Sequence, residues 1–177
     1  MPTYKGQSRR AFLQVLVGGA ALGLASVSGF RVLAETSGGS SGGNSVDWAA
    51  LSEQEWRRRL TDEEFKILRK AGTERAFSSP LNDETRKGTF ICAGCALPLF
   101  SSETKFKSGT GWPSFYEPLP DAVETKLDFK LVIPRTEYHC RRCGGHQGHV
   151  FDDGPEPTGK RYCNNGLALD FVPDESA

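Results

Sequence analysis

The chain has 177 residues, 37% hydrophobic and 25% charged, which is enough for one compact domain with an extension and too few for two ordinary domains. Its 22 basic and 22 acidic residues balance overall, but residues 1–34 hold Lys5, Arg9, Arg10 and Arg31 and no carboxylate, so the remainder carries 18 basic against 22 acidic. That balance argues against nucleic acid as a partner of the body, because counterion release needs a concentrated basic surface and only the short Arg141-Arg142 pair offers one.

The N-terminus reads Ser8-Arg9-Arg10-Ala11-Phe12-Leu13, followed by an uncharged, moderately apolar stretch to Phe30 and by Val32-Leu33-Ala34 before Glu35. This is the pattern of a twin-arginine export signal over residues 1–34, with cleavage after Ala34 and a periplasmic destination. The alternatives are an uncleaved membrane anchor, the only way in which a membrane becomes a partner, and a structural helix. Residues 35–46, with Ser-Gly-Gly-Ser-Ser-Gly-Gly, cannot bury apolar area and are expected to form a flexible tether, leaving 47–177 as the folded domain.

Two capping boxes, Ser52 with Glu55 and Thr61 with Glu64, predict two short helices. The second offers Phe65, Leu68 and Ala71 to a core and is expected to stop at Gly72. From Lys87 onward the signals change to strands: Thr89-Phe90-Ile91, Phe129 to Ile133, Glu137-Tyr138-His139, His149-Val150-Phe151 and Leu167 to Val172, separated by Gly, Pro and Asp clusters. The body therefore reads as mainly antiparallel β.

Five cysteines cannot all pair within one chain. Four form Cys92-Ala-Gly-Cys95 and Cys140-Arg-Arg-Cys143, each after a predicted strand, where a knuckle places two thiolates on one side of a tight turn. Two knuckles complete a tetrahedron that suits one structural zinc per chain. The 44 residues between the pairs exceed the usual zinc-ribbon range, and two vicinal disulfides or a pair of thioredoxin-like motifs are the competing readings. Neither pair opens a helix within a βαβ pattern, which counts against the thioredoxin reading. Cys163 is left over and is the first candidate for chemistry.

On an extended strand Arg161, Cys163 and Asn165 point to one face, which sets a guanidinium beside the thiol and favours the thiolate; reaction of Cys163 with a thiol reagent at mildly acidic pH would separate a nucleophile from the inert thiol of a binding module. Arg161 can instead pair with a structural carboxylate such as Asp152 or Asp153. All three histidines, His139, His146 and His149, lie between two cysteine-bearing strands, and imidazole is the natural acid near neutral pH.

The segments Gly109-Thr110-Gly111-Trp112-Pro113-Ser114-Phe115, His146-Gln147-Gly148-His149-Val150-Phe151, Asp153-Gly154-Pro155 and Arg161-Tyr162-Cys163-Asn164-Asn165, with both Cys-x-x-Cys pairs in order, resemble the methionine sulfoxide reductase B family over about residues 47–173. The resemblance implies a mainly β fold of two antiparallel sheets, a β-tent or Mss4-like arrangement, with short N-terminal helices and a structural zinc site. It implies reduction of methionine-R-sulfoxide, free or in oxidised proteins, with Cys163 as nucleophile and sulfenic acid intermediate. His146, His149, Arg161 and Asn165 would serve the catalytic site, and Trp112 and Phe115 would contact substrate, Trp112 as an apolar wall against its methyl group. His139 does not match an active-site position.

One departure matters. Many members place a resolving cysteine where this chain has Thr110, so regeneration by an external thioredoxin-like thiol is expected, with the protein acting as a monomer. Asn164 and Gly166 also depart from commoner residues without touching a specific role. A non-catalytic zinc-knuckle binding module is the rival from another class, and it has no use for Cys163 beside Arg161 and Asn165. A thiol-disulfide oxidoreductase is a weaker rival, predicting that one Cys-x-x-Cys pair cycles.

Overall fold

Ser52 and Thr61 each accept the main-chain N–H three residues ahead, while Glu55 and Glu64 reach back to the cap N–H, so both expected capping boxes start helices: α1, Glu53–Arg59, and α2, Asp62–Lys70. The computed structural model describes residues 46–130 and 133–175, and the expected export signal and all of the tether but Val46 lie outside them. Phe65, Ile67 and Leu68 give α2 its buried face, whereas Ala71 does not continue it: this residue turns left-handed at φ 49° and caps the helix.

Among the described residues nine strands follow: β1 (Gly88–Cys92), β2 (Pro98–Ser101), β3 (Lys105–Phe106), β4 (Ser114–Phe115), β5 (Val123–Asp128), β6 (Arg135–Cys140), β7 (His146–Phe151), β8 (Arg161–Asn164) and β9 (Leu169–Pro173). They form two sheets, one ordered β2-β1-β9 and the other β3-β4-β8-β7-β6-β5, and every pairing is antiparallel. The mainly β architecture of two antiparallel sheets and two short helices is the one expected.

The strands differ from the sequence reading in several places: β2, β3 and β4 were not expected, β7 begins at His146 rather than His149, and two further departures have a physical reason. The apolar run at Phe129 to Ile133 predicted a strand, but the strand is the preceding polar segment β5, and Phe129 and Ile133 are exposed; residues 131 and 132 lie outside the described set. An edge strand with a solvated face tolerates Glu124, Thr125 and Lys126, so hydrophobicity does not mark it. At the C-terminal end, Gly166–Ala168 form a 3-10 turn before β9 begins at Leu169.

The core joins the two sheets through aromatic packing. Phe100 stacks on Phe115 with centroids 4.2 Å apart, Phe90 meets Phe115 edge-on at 4.9 Å, and Phe100 meets Tyr138 edge-on at 6.1 Å. Such pairs add about 0.5–1.5 kcal/mol each beyond area burial. The helices cover the cysteine turns, with Leu68 against Gly145, Trp56 against Gly94, and the Arg69 guanidinium donating to the Cys143 carbonyl at 2.9 Å.

Candidate active site and metal centre

The two Cys-x-x-Cys segments close β1 and β6 with matching turns. Ala96 N–H donates to the Cys92 carbonyl and Gly144 N–H to the Cys140 carbonyl, both at 2.8 Å, and Ala96 and Gly144 take left-handed φ values of 56° and 66°. The four buried sulfurs lie within 4.8 Å of one another, with Cys92 Sγ to Cys143 Sγ 3.7 Å and Cys95 Sγ to Cys140 Sγ 3.5 Å. A disulfide needs about 2.0 Å, whereas the edge of a tetrahedron with zinc–sulfur bonds of about 2.3 Å is roughly 3.8 Å. The donor set therefore fits a four-coordinate metal and not paired disulfides. Four thiolates this close would repel one another strongly in a buried setting, so the set calls for a cation to offset their charge.

Cys163 sits apart from this cluster on β8, which runs between β4 and β7. Its register partners are Ser114 on one side and His149 on the other, and directly opposed residues of an antiparallel pair share a face. Cys163 and His149 therefore open into one cleft of about 110 Å³, together with Trp112, Arg135, Phe151 and Asn165. Burial pushes the Cys163 thiol above its ordinary value, and the nearby Arg161 charge and the Thr110 hydroxyl only partly oppose it. The guanidinium acts toward the thiolate, as expected of it, and desolvation acts against it.

Arg161 serves two neighbours. Its Nε and Nη2 donate to the two carboxylate oxygens of Asp153 at 2.8 and 2.9 Å, and its guanidinium lies 4.4 Å from the centroid of Phe151, its register partner on β7. Asn165 is buried and wholly occupied by main chain, accepting from Glu74 N–H at 3.0 Å and donating to the Gln147 carbonyl at 2.9 Å. Trp112 stands half-buried at the cleft, its indole N–H donating to the Glu74 carbonyl at 3.2 Å.

Two residues of the expected site lie elsewhere. Phe115 is fully buried in the aromatic core and does not line the cleft, so the substrate contact expected of it is corrected to a packing role; on an extended segment it faces away from Ser114. His146 is buried behind His149, ring centroids 5.5 Å apart, with its Nδ1 2.9 Å from Glu137 Oε1 and its Nε2 unpaired. Burial lowers its affinity for a proton despite the Glu137 carboxylate. His149, by contrast, lines the cleft and holds Asp128 Oδ2 at 2.7 Å through Nε2, and Asp128 also accepts from Arg135 at 2.9 Å. A hydrogen bond from the Lys130 N–H, His149 and Arg135 together keep the Asp128 carboxyl well below the usual carboxylate range. His139 lies outside the cleft, 3.6 Å from Glu124.

Sequence reasoning missed Glu74, Asp128, Arg135, Glu137 and Gln147. The Glu74 carboxylate accepts from Gly166 N–H at 2.6 Å and Leu167 N–H at 3.0 Å, fastening the turn that follows the Cys163 strand. The Gln147 amide donates toward Cys92 Sγ at 3.5 Å and accepts from Asn164 at 3.3 Å, connecting the sulfur cluster to β8. None is flagged by a local motif; only for Gln147, inside the quoted His146–Phe151 segment, was a signal available.

Four sulfurs gathered as a metal donor set and a fifth set apart at a cleft define a mainly β protein with a candidate metal centre and one thiol outside it. The chain belongs to the SelR domain family, whose match extends over residues 60–173. It is 54% identical over 128 residues to the peptide methionine sulfoxide reductase MsrB of Leifsonia xyli subsp. xyli, covering 71% of this chain and 92% of that protein. It is 53% identical over 125 residues to the protein of that name in Methanosarcina barkeri, covering 70% and 88% respectively. A match of 53% over 124 residues to the chloroplastic peptide methionine sulfoxide reductase B1 of Arabidopsis thaliana covers 70% of this chain and spans 61% of that protein.

Proposed function

We infer that the protein is a peptide-methionine (R)-S-oxide reductase that returns methionine-R-sulfoxide to methionine. The observation that carries this reading is the cross-strand pairing of Cys163 with His149 in one Trp112-walled cleft. A sulfoxide needs a nucleophile at sulfur and an acid at oxygen, and this cleft brings one of each.

The Cys163 thiolate attacks the sulfoxide sulfur while a proton reaches its oxygen. The sulfur–oxygen bond then breaks, the oxygen passes to Cys163 as a sulfenic acid, and methionine leaves as the reduced thioether. His149 is better placed than His146 to deliver the proton, because it lines the cleft and Asp128 Oδ2 holds its ring at 2.7 Å. Arg161 offsets part of the desolvation of Cys163, and Asn165 fixes the backbone beyond it. Trp112 supplies the apolar wall for the substrate methyl group.

No second thiol stands near Cys163, since Thr110 occupies the neighbouring loop and the other four cysteines form the cluster. The sulfenic acid is therefore reduced by an external dithiol of the thioredoxin type: one sulfur displaces water to form a mixed disulfide, and the second releases Cys163. The cluster metal is zinc, a redox-inert ion suited to four thiolates, which would hold the β1 and β6 turns together. The twin-arginine pattern supports export of the folded, metal-loaded monomer to the periplasm, where it repairs oxidised proteins.

The experiment is turnover of separated R and S epimers of a methionine sulfoxide peptide with dithiothreitol, for the wild type and Cys163→Ser. Reduction of the R epimer alone, abolished in the variant, is the expected result. Activity retained by Cys163→Ser would remove this mechanism.

A further inference from the structure

Trp112 lines two openings. One is the Cys163 cleft; the other is a second groove of about 210 Å³ in which Phe77, Phe106 and Pro113 join Trp112 as apolar lining, with Asp83, Lys105 and Lys107 also on its walls. Phe77 is 73% exposed, an unusual setting for an aromatic ring on the rim of an active site. It is nonetheless held in place. Its backbone is left-handed, φ 63°, a conformation disfavoured for a bulky residue, and its N–H donates to the Gly111 carbonyl at 2.7 Å. The Asn82 side chain donates to the same carbonyl at 3.1 Å. A methyl group on Gly111 would come within 2.9 Å of two Phe77 ring carbons, so the glycine makes room for the ring. Backbone strain of this kind persists where surrounding contacts enforce it, and here it presents an apolar surface to solvent beside Trp112.

We propose that the Phe77–Trp112 groove binds an apolar side chain two residues away from the oxidised methionine in an extended polypeptide substrate. This deepens the reductase reading and rests on it. Residues two apart on an extended chain share a face and stand roughly 6.8 Å apart, so one side chain enters the Cys163 cleft while the other straddles Trp112 into the groove. The cleft, at about 110 Å³, is well below the roughly 300 Å³ of the smallest pockets that enclose whole ligands, so the substrate main chain stays outside. The nearby guanidiniums are engaged, Arg135 with Asp128 and Arg161 with Asp153, which leaves no unpaired cation among the described cleft residues for the carboxylate of a free amino acid. A blocked peptide backbone suits that environment better.

The test compares kcat/KM for acetylated, amidated pentapeptides of sequence Gly-Gly-Met-Gly-Gly, oxidised to the R sulfoxide, with Leu or Phe replacing the first or the last glycine. Leu or Phe at one of the two ends is expected to raise kcat/KM at least fivefold over the all-glycine parent, chiefly through KM, and Phe77→Ser is expected to reduce that ratio below twofold. Because the readout is a ratio within each protein, a partly folded variant does not mimic the effect. Equal values for all peptides, or a preference that survives Phe77→Ser, overturns the groove assignment. Failure of the wild type to reduce the parent peptide overturns the reductase reading itself, so the two failures are distinguishable.

Discussion

The indole N–H of Trp112 meets the main-chain carbonyl of Glu74 at 3.2 Å across a sequence separation of 38 residues. The same residue, through its own N–H and its carboxylate, holds Asn165, Gly166 and Leu167, so the cleft wall and the turn beyond the nucleophile hang from one buried glutamate. Glu74→Ala leaves main-chain donors without an acceptor and is expected to cost about 2 kcal/mol in urea denaturation. Its kcat/KM should fall by about tenfold from the loosened turn beyond Cys163, whose Gly166 and Leu167 amides lose the carboxylate. Glu74→Gln, which keeps one carbonyl oxygen, should recover part of both; wild-type stability in Glu74→Ala would refute the role.

Cys163 provides a pH test. Burial raises its thiol while Arg161 and Thr110 oppose the rise, and only the thiolate is nucleophilic. Alkylation by iodoacetamide should therefore accelerate with rising pH through an inflection above the ordinary thiol value. Arg161→Met should move that inflection higher still, and Thr110→Val should shift it in the same direction. A downward shift in either variant would contradict the assigned charge balance.

Acid stability follows from two groups with depressed values, and the signs agree. His146 is buried and resists protonation, so the unfolded chain binds its proton first and stability is lost as pH falls through the ordinary imidazole range. Asp128, held low by the Lys130 N–H, His149 and Arg135, contributes stability above its unfolded value that is lost as pH falls toward its folded one. Urea titrations should show His146→Gln flattening the loss near pH ~6 and Asp128→Asn flattening the loss at lower pH. Asp128→Asn should also reduce turnover by about 10²-fold, the lower end of what a general acid supplies, because His149 loses its orienting carboxylate.

Metal analysis by mass spectrometry should find one zinc per chain in the wild type and in Cys163→Ser, and none in Cys92→Ser. The latter should also lose several kcal/mol of stability, since thiolate–zinc bonding is folding energy. Full zinc content in Cys92→Ser would refute the ligand assignment.

Gly148 faces the nucleophile strand so closely that an added methyl would lie 1.9 Å from the Cys163 carbonyl oxygen. Gly148→Ala should therefore displace β8, costing about 3 kcal/mol and nearly all turnover. Unchanged activity would show that the two strands are further apart than described.

Features made by neighbouring residues were legible before any coordinates. Ser52 with Glu55 and Thr61 with Glu64 announce helices because a capping box closes within one turn, and each Cys-x-x-Cys pair announces a knuckle because four residues make the turn. The odd cysteine count isolated Cys163 by arithmetic. The β5 edge strand was missed because a solvated strand carries no apolar signature, and the apolar residues after it suggested a strand where Phe129 and Ile133 stand exposed.

What the amino-acid sequence alone determined is the inventory: two capped helices, a mainly β body, four thiols apart from a fifth, and the residues flanking that fifth. Only the tertiary structure decided which groups share the cleft. It brought Glu74 to Trp112 and Asn165, put Asp128 behind His149, withdrew Phe115 and His146 from the surface, and weighed the Arg161 charge against the burial of Cys163. These are contacts between residues far apart in the chain, or balances of desolvation against charge, and both depend on how strands pair and pack.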